Sequence, residues 1–366
     1  MTIHGTRRRL VCRLFTGLLL LAVDCTGVAG DDRPGQAALS GPPIPAPPAP
    51  SPQQPGTARP PVADRAAGTA EENAGERRFA GTDLVENDIL RELLDAPARA
   101  FKPVGNTSVV FKMELAGRFD AAFKPASRER PQGYLHEIAA YRLARLLGLD
   151  NVPPAIARGI SRQSLREGIG HEQAEQWRDY ADQLLWGEDG QVRGAAIFWV
   201  PGLRDLGLES RRSRETWTGW LRIGGELPEQ ERALAADLSN ALAFDYLIGN
   251  PDRFSGGNLK GDSSGSRLYL RDHDLGFPRR LPDGVHRRIL RRLLQAERFS
   301  RAFFRRLQGL TGERLRDEIA LDPAAADGPI LDEDQLKSVF DRRDGLWSYI
   351  ASLVAVYGED RVLAFP

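Results

Sequence analysis

Apolar residues first recur at regular spacing near residue 83. Leucines and an isoleucine in residues 83–94 are spaced for one face of a helix. Apolar residues then alternate with others over residues 109–115 and again over residues 119–123, with Ala-Gly-Arg between the two runs. This pattern predicts a β-hairpin, and Lys124 follows on the face opposite Phe123.

Helical periodicity dominates the chain after the hairpin, apart from one predicted strand. Residues 132–147 carry an apolar stripe followed by Gly148, a common residue after a helix C-terminus. A short buried strand is predicted at residues 195–200, and helical spacing returns over residues 234–248 and from about residue 286 onward. The chain therefore predicts an α+β fold with two lobes, a small β-rich N-lobe and a larger helical C-lobe.

The first 80 residues lack this periodicity. In residues 1–30, arginines precede a short apolar stretch and small residues then offer a cleavage site, which predicts a signal peptide for export. Residues 31–80 hold 11 of the 25 prolines, mixed with alanine and glycine, and predict a disordered linker. The folded domain is assigned to residues 81–366, with no transmembrane segment in the mature chain.

The cysteine and charge content indicates the cellular location of the protein and which partners are not expected. Cys12 and Cys25 both lie in the predicted signal, so a mature chain would hold none, which favours a bacterial envelope or secreted protein. Cys25 resembles a lipid-attachment cysteine, but Asp24 before it is a poor fit and simple cleavage is preferred. Lys+Arg and Asp+Glu are both 50, so the overall charge does not indicate a nucleic-acid partner.

Candidate catalytic and metal-binding residues concentrate in residues 245–277. Asp252 lies in a loop broken by glycine and proline, and Asn258 follows six residues later. After a short β-like run come Asp272 and Asp274. One carboxylate that orients a hydroxyl, with an amide and a second carboxylate that hold a divalent metal on ATP, is the minimal equipment of a phosphotransferase. The letters of ordinary protein kinase motifs are absent from the expected places.

Further residues fit this chemistry. Lys124 ends a hairpin strand and Glu137 follows on the next helix, which is the arrangement of a phosphate-binding lysine and its carboxylate partner. Gly105 and Asn106 can present backbone N–H groups to phosphate, although turn chemistry explains them equally well. Only five histidines occur and none has zinc-ligand spacing, so oxygen-ligated Mg²⁺ or Mn²⁺ is favoured.

Two residues near the loop have structural interpretations. Asp245 leans toward the apolar face of its helix, which predicts a buried aspartate that bonds the loop backbone. Arg253 follows Asp252 directly and could assist phosphate binding or pair with Asp252, although a solitary arginine is more often a surface residue.

The motifs resemble the atypical kinase lineage. The resemblance is carried by residues 123–125, 134–149, 249–258 and 272–277. That lineage includes the secretory-pathway kinases related to four-jointed and the Golgi casein kinase, with HipA toxin kinases and phosphoinositide kinases as more distant relatives. The resemblance implies a two-lobed protein-kinase-like fold, with the strand at residues 195–200 as the hinge that contacts adenine.

The resemblance also implies roles for individual residues. Lys124 would bind the ATP phosphates, and Glu137 would pair with it or help to bind metal. Asp252 would be the catalytic base, while Asn258 and Asp272 would be ligands of Mg²⁺ or Mn²⁺.

This chain departs from the pattern of the lineage at two points, and its metal-binding aspartate is ambiguous. Relatives often carry histidine where this chain has Phe254. Asn258 follows Asp252 by six residues, whereas five is common in the phosphoinositide and HipA kinases. Either Asp272 or Asp274 fits the metal position, and Asp272 is preferred for its spacing from Gly-Phe.

The sequence thus predicts an exported ATP-dependent kinase that phosphorylates a hydroxyl of a protein or sugar. Two alternatives stay open. One is a pseudokinase-like module that binds a nucleotide or partner, and the other is a metal-dependent phosphohydrolase built on Asp272 and Asp274. The presence of both Lys124 and Glu137 favours the kinase over the hydrolase.

Overall fold

A computed structural model describes residues 77–104, 108–170 and 177–366. The strands are β1 Ala98–Pro103, β2 Phe111–Leu115, β3 Asp120–Pro125, β4 Ala155–Ser161, β5 Gln191–Phe198, β6 Arg204–Asp205, β7 Leu259–Gly261 and β8 Leu268–Leu270. The helices are α1 Glu86–Asp95, α2 Gly133–Leu147, α3 Arg162–Gly168, α4 Trp177–Gln183, α5 Arg211–Trp220, α6 Arg232–Ile248, α7 Asp283–Leu293, α8 Arg301–Gln308, α9 Gly312–Ala320, α10 Glu333–Tyr357 and α11 Glu359–Val362.

An antiparallel sheet in the order β1-β2-β3-β5-β4 forms the N-lobe. Strands β2 and β3 alternate in burial because one face packs on the core; in β2 the residues Phe111 and Met113 are fully buried. The predicted hairpin is the β2–β3 pair, in which Phe111 lies opposite Phe123. Lys124 follows on the other face, and its cross-strand partner is Ala195 of β5.

Helix α2 connects the sheet to the rest of the protein. Most of its residues are buried, as expected from the broad apolar stripe. The helix ends where predicted, because Gly148 adopts a left-handed conformation with φ 74° and donates its N–H to carbonyls of the last turn.

The C-lobe is built around helix α6, which is buried along most of its length. A second small sheet, in the order β6-β7-β8, lies beside it. Helix α10 starts with a capping box between Asp332 and Gln335 and packs against α6. No helix in the described ranges is both long and apolar enough to cross a membrane.

The predicted α+β layout with two lobes is confirmed. Strand β1 was not predicted, because Ala98–Pro103 shows no alternation of apolar and polar residues. The short pair β6–β7 was also not predicted: β6 is only two exposed residues and forms through pairing with a distant segment.

The folded body begins earlier than the sequence predicted. The last residues of the proposed linker, from Arg77 to Ala80, pack on both lobes. Arg77 Nε donates to Glu86 Oε1 at 2.7 Å, and Phe79 is only 1% exposed. The Phe79 ring contacts Phe198 in the N-lobe and stacks on Tyr269 in the C-lobe, at centroid distances of 5.4 and 5.5 Å. Residues 77–80, predicted to lie in the linker, therefore pack with the folded domain.

Phe79→Ala is expected to lower the free energy of unfolding by roughly 3–5 kcal/mol, because a fully buried ring between the lobes is lost. A chain that begins at residue 77 should unfold at the same temperature as one that begins at residue 31. Leu94→Ala is the control, since Leu94 is 37% exposed. Urea and thermal denaturation measure the stability of both variants and of the shortened chain. Equal stability of Phe79→Ala and the unsubstituted protein would contradict the packing described here.

Candidate active site

Lys124 is held between two carboxylates at the end of β3. Its Nζ lies 2.5 Å from Glu137 Oε1 and also bonds Asp272 Oδ1, while its side chain is only 13% exposed. Burial opposes the positive charge, but attraction to the carboxylates of Glu137 and Asp272 outweighs it and raises the pKa of Lys124 far above its ordinary value. The lysine is therefore charged and fixed in position.

Glu137 links helix α2 to the segment after β8. Besides Lys124, its Oε1 accepts the backbone N–H of His273 at 2.9 Å, and its Oε2 lies 3.2 Å from His273 Nδ1. Burial alone would raise the pKa of Glu137, but Lys124 and His273 hold it well below its usual range. The carboxylate is thus ionised and bonded through both oxygens.

The segment that carries the acidic pair has an unusual backbone. Asp272 and Phe277 both have positive φ, 67° and 56°, which is strained for residues with a Cβ. Neighbouring elements hold this loop at both ends. Asn250 Nδ2 donates to the Asp272 carbonyl at 3.2 Å, and the Phe277 N–H donates to the Ile248 carbonyl at 2.6 Å.

Three carboxylates converge beside Lys124. Oxygens of Glu137, Asp272 and Asp274 all lie within 4.8 Å of one another. Burial raises the pKa of Asp274 to about 6, although Lys124 acts in the opposite direction. Oxygen donors of this kind suit Mg²⁺ or Mn²⁺, and a divalent cation would offset the repulsion among the carboxylates. The residues present therefore fit a divalent metal, and both aspartates of the Asp-His-Asp run face the cluster.

Asp252 lies in a loop that fixes its carboxylate. The Asp252 N–H donates to Asn250 Oδ1 at 3.1 Å, as in an Asx turn. Its Oδ1 accepts from Ser255 Oγ at 2.5 Å and its Oδ2 from Asn258 Nδ2 at 3.3 Å. Asp252 and Asn258 therefore lie close together, and Asn258 bonds the carboxylate of Asp252, the candidate base, directly.

The additional residue between Asp252 and Asn258 is accommodated by glycine. Gly256 and Gly257 have φ of 98° and 84°, which residues with a side chain rarely adopt. A Cβ at either glycine would meet open space, so backbone conformation rather than crowding accounts for glycine there. The bulge in Ser-Gly-Gly lets the Asn258 side chain turn back toward Asp252.

Arg253 lies beneath the loop, not at the surface, so the surface expectation was wrong. Its side chain is fully buried, and Nε and Nη2 each lie 3.1 Å from an oxygen of Asp245. Nη1 also donates to the carbonyl of Arg271, directly before Asp272. Asp245 is buried, as predicted. Within the described residues its carboxylate does not bond the loop backbone, contrary to the expectation, but accepts from the side chains of Arg253 and of Asn250, the latter at 3.3 Å.

The site thus consists of two cross-linked parts. Lys124, Glu137 and Asp272 form one, and Asp252 with Asn258 forms the other. Asn250 bonds Asp252 and Asp272, and Arg253, which follows Asp252, donates to the carbonyl just before Asp272, so both residues tie the parts together.

Gly105 and Asn106 lie outside the described residues. The strand proposed as the hinge is the end of β5, beside the strand that carries Lys124.

Sequence reasoning gave no role to Asn250, Ser255 or His273. A local pattern could have indicated the role of Asn250, because asparagine directly before Pro-Asp commonly forms an Asx turn. His273 was considered only as a zinc ligand, and its bond to Glu137 depends on a residue 136 positions earlier. No local pattern predicts such a contact.

Asp245→Asn is expected to lower the free energy of unfolding by roughly 3–5 kcal/mol, because it leaves the buried Arg253 guanidinium without its counter-charge. Asp341→Asn is the matched control, since Asp341 pairs with Lys337 at an exposed helix position. That control should change stability by less than about 0.5 kcal/mol. Urea denaturation measures both. A small effect of Asp245→Asn would mean that the Arg253 pair contributes little.

Comparison with known proteins supports the kinase resemblance. No family model matches the chain. The human glycosaminoglycan xylosylkinase is 24% identical over 262 residues, and the match spans 62% of this chain and 62% of that relative.

Among solved structures, the Golgi casein kinase with Mn/ADP bound matches 77% of this chain and 79% of its own, with a TM-score of 0.57 and 18% identity. The structure of hydra Fam20 with sugar matches 78% and 95%, with the same TM-score and identity. The resemblance predicted from the motifs is confirmed, and in sequence and in fold this chain is similar to the atypical secretory-pathway kinases.

Proposed function

We propose that this protein is an ATP-dependent kinase that transfers the γ-phosphoryl group to a hydroxyl of a protein, on serine or threonine, or of a sugar. The observation that carries the proposal is the buried contact of Lys124 with both Glu137 and Asp272. A strand lysine fixed by a helix carboxylate and directed toward a metal-binding aspartate is the arrangement with which kinases position ATP phosphates.

In this proposal Lys124 binds the ATP phosphates and Glu137 keeps the lysine in place. Glu137 suits that role because both of its oxygens are bonded and its side chain is 3% exposed. Gly105 and Asn106 before β2 supply backbone N–H groups to phosphate, and residues 195–200 contact the adenine.

Asp252 acts as the base that receives the acceptor proton. The acceptor oxygen attacks the γ-phosphorus, the bond from that phosphorus to the bridging oxygen of ADP breaks, and the hydroxyl proton passes to an Asp252 oxygen. Ser255 and Asn258 orient the carboxylate for this transfer, since each bonds a different one of its oxygens.

Asp272 and Asn258 are proposed to hold Mg²⁺ or Mn²⁺, with Asp274 as the alternative carboxylate. A divalent cation supplies neutralisation of the charge that develops on the phosphate oxygens. The chain's own contribution is a loop whose strained backbone keeps two aspartates beside Glu137.

The names of the relatives support the two acceptor classes. One relative is named for xylosyl acceptors in glycosaminoglycans and another for casein, a protein. We propose export of this chain by residues 1–30 to the periplasm, cell envelope or medium of a bacterium, with lipid attachment at Cys25 as the less favoured alternative.

Asp252→Ala is expected to retain ATP binding and to lower turnover by roughly 10²–10⁴-fold, because the base acts in the transition state. Calorimetry measures binding, and transfer of labelled phosphate from ATP to the protein itself or to envelope extracts measures turnover. Asp341→Ala is the control. Wild-type turnover in Asp252→Ala would overturn its role as the base.

The same assay separates the alternatives. A pseudokinase-like module would bind the nucleotide with no transfer in the unsubstituted protein. A phosphohydrolase would release inorganic phosphate without labelling any acceptor.

Asp272→Asn is expected to weaken Mn²⁺-dependent ATP affinity by at least about tenfold, and Asp274→Asn by less. The reason is that Asp272 is also the Lys124 partner, so its loss disturbs both the metal and the lysine. Titration of ATP at several Mn²⁺ concentrations ranks the two variants. The opposite order would assign the main carboxylate to Asp274.

A further inference from the structure

A chain of hydrogen bonds connects the start of helix α10 to the acidic loop. Gln335, on the first turn of α10, is only 4% exposed. Its Nε2 donates to the Phe277 carbonyl at 3.0 Å and lies 3.1 Å from His136 Nε2. His136 Nδ1 lies 2.9 Å from the Asp274 carbonyl. The path therefore runs from the C-lobe through helix α2 to the aspartate loop.

The direction of each hydrogen bond follows from its partners. Gln335 Oε1 accepts the backbone N–H of Asp332 at 2.9 Å, which fixes the amide orientation and leaves its NH₂ group for Phe277 and His136. His136 Nε2 must then accept. Its proton is on Nδ1, where it is donated to the Asp274 carbonyl, because a carbonyl can only accept.

These bonds act on a strained segment. Asp272 and Phe277, at its two ends, have left-handed backbones that are unfavourable for such residues. Asn250 holds the Asp272 carbonyl, so His136 and Gln335 supply the corresponding restraint at Asp274 and Phe277. The His136 ring also packs near Phe277, with centroids 5.9 Å apart.

The carboxylate that depends most on this restraint is that of Asp274. Its closest ion-pair contact is with Arg130 Nε at 3.9 Å, which is too long for a hydrogen bond. The backbone of Asp274, in contrast, is fixed by His136. The orientation of the carboxylate toward Glu137 and Asp272 therefore depends mainly on how its peptide is held.

We propose that His136 and Gln335 are positioning residues that hold the loop from Asp272 to Phe277 so that the Asp274 carboxylate joins Glu137 and Asp272 in one divalent-metal site. The inference rests on the proposed function for a divalent metal at Asp272, and it adds the carboxylates of Glu137 and Asp274 to that site. It adds that the first turn of α10, far along the chain, sets the geometry of that site.

Three variants test the proposal through Mn²⁺ binding in the absence of nucleotide. His136→Phe keeps an aromatic ring against Phe277 but removes the donor, and should weaken Mn²⁺ affinity roughly 10–100-fold. His136→Asn places an N–H donor near the position of Nδ1 and should retain most of the affinity. Gln335→Glu keeps the capping box of α10 but removes the bond donated to the Phe277 carbonyl, and should weaken Mn²⁺ affinity less than His136→Phe because His136 can still donate to Asp274.

Calorimetric titration with MnCl₂ measures the affinity, and the melting temperature of each variant is measured in parallel. His286→Phe, a histidine substitution on α7, is the control and should bind Mn²⁺ as the unsubstituted protein does. Wild-type Mn²⁺ affinity in His136→Phe and Gln335→Glu, with only a lower melting temperature, would overturn the positioning role. Equal loss in His136→Asn and His136→Phe would overturn the assignment of the donated bond.

The two proposals fail in different ways. If the unsubstituted protein binds Mn²⁺ and the variants behave as expected, but no phosphoryl transfer occurs, the kinase function fails and the positioning role stands. If the unsubstituted protein transfers phosphate while the variants bind Mn²⁺ normally, the positioning role fails alone. If the unsubstituted protein binds no Mn²⁺ in the absence of nucleotide, the positioning proposal is overturned as stated.

Discussion

The buried ion pair between Lys124 and Glu137 is the contact on which the rest of the site depends. Neither charge is tolerated in a protein interior without a partner, so each requires the other to stay ionised. Glu137 also bonds His273, and Lys124 also bonds Asp272. One pair of charges therefore connects a strand of the N-lobe, helix α2 and the loop after β8, and it fixes where the two lobes meet.

A second buried ion pair, between Arg253 and Asp245, plays the same part beneath the loop that carries Asp252. Arg253 distributes its donors between Asp245 on α6 and the carbonyl of Arg271, so the loop with Asp252 and the loop with Asp272 share one guanidinium. Planar, multiply bonded arginine suits such a role better than lysine would. The relative position of the proposed base and the proposed metal ligands is thus set by buried side chains.

Phe254 packs beside the Asp252 loop against residues of α5 and α7. Its ring lies near Trp217, at a centroid distance of 6.1 Å, and beneath the Arg292 guanidinium at 4.7 Å. Arg292 also donates to the Pro251 carbonyl at 2.9 Å. On this side the loop is therefore supported by aromatic and cation–π packing and by the hydrogen bond from Arg292 to its backbone.

Local sequence patterns determined much of this protein. The β2–β3 hairpin, helix α2 with its Gly148 end, helix α6 and the helical C-lobe follow from periodicity and capping, because each is fixed by residues close in sequence. The order of Lys124, Glu137, Asp252 and Asp272 likewise indicated a kinase-like site. Only the tertiary structure decided which groups meet. The burial of Arg253, the bond of His273 to Glu137, and the link from Gln335 to the aspartate loop join residues far apart in sequence, and hydrogen bonding across such separations leaves no periodic trace in the chain.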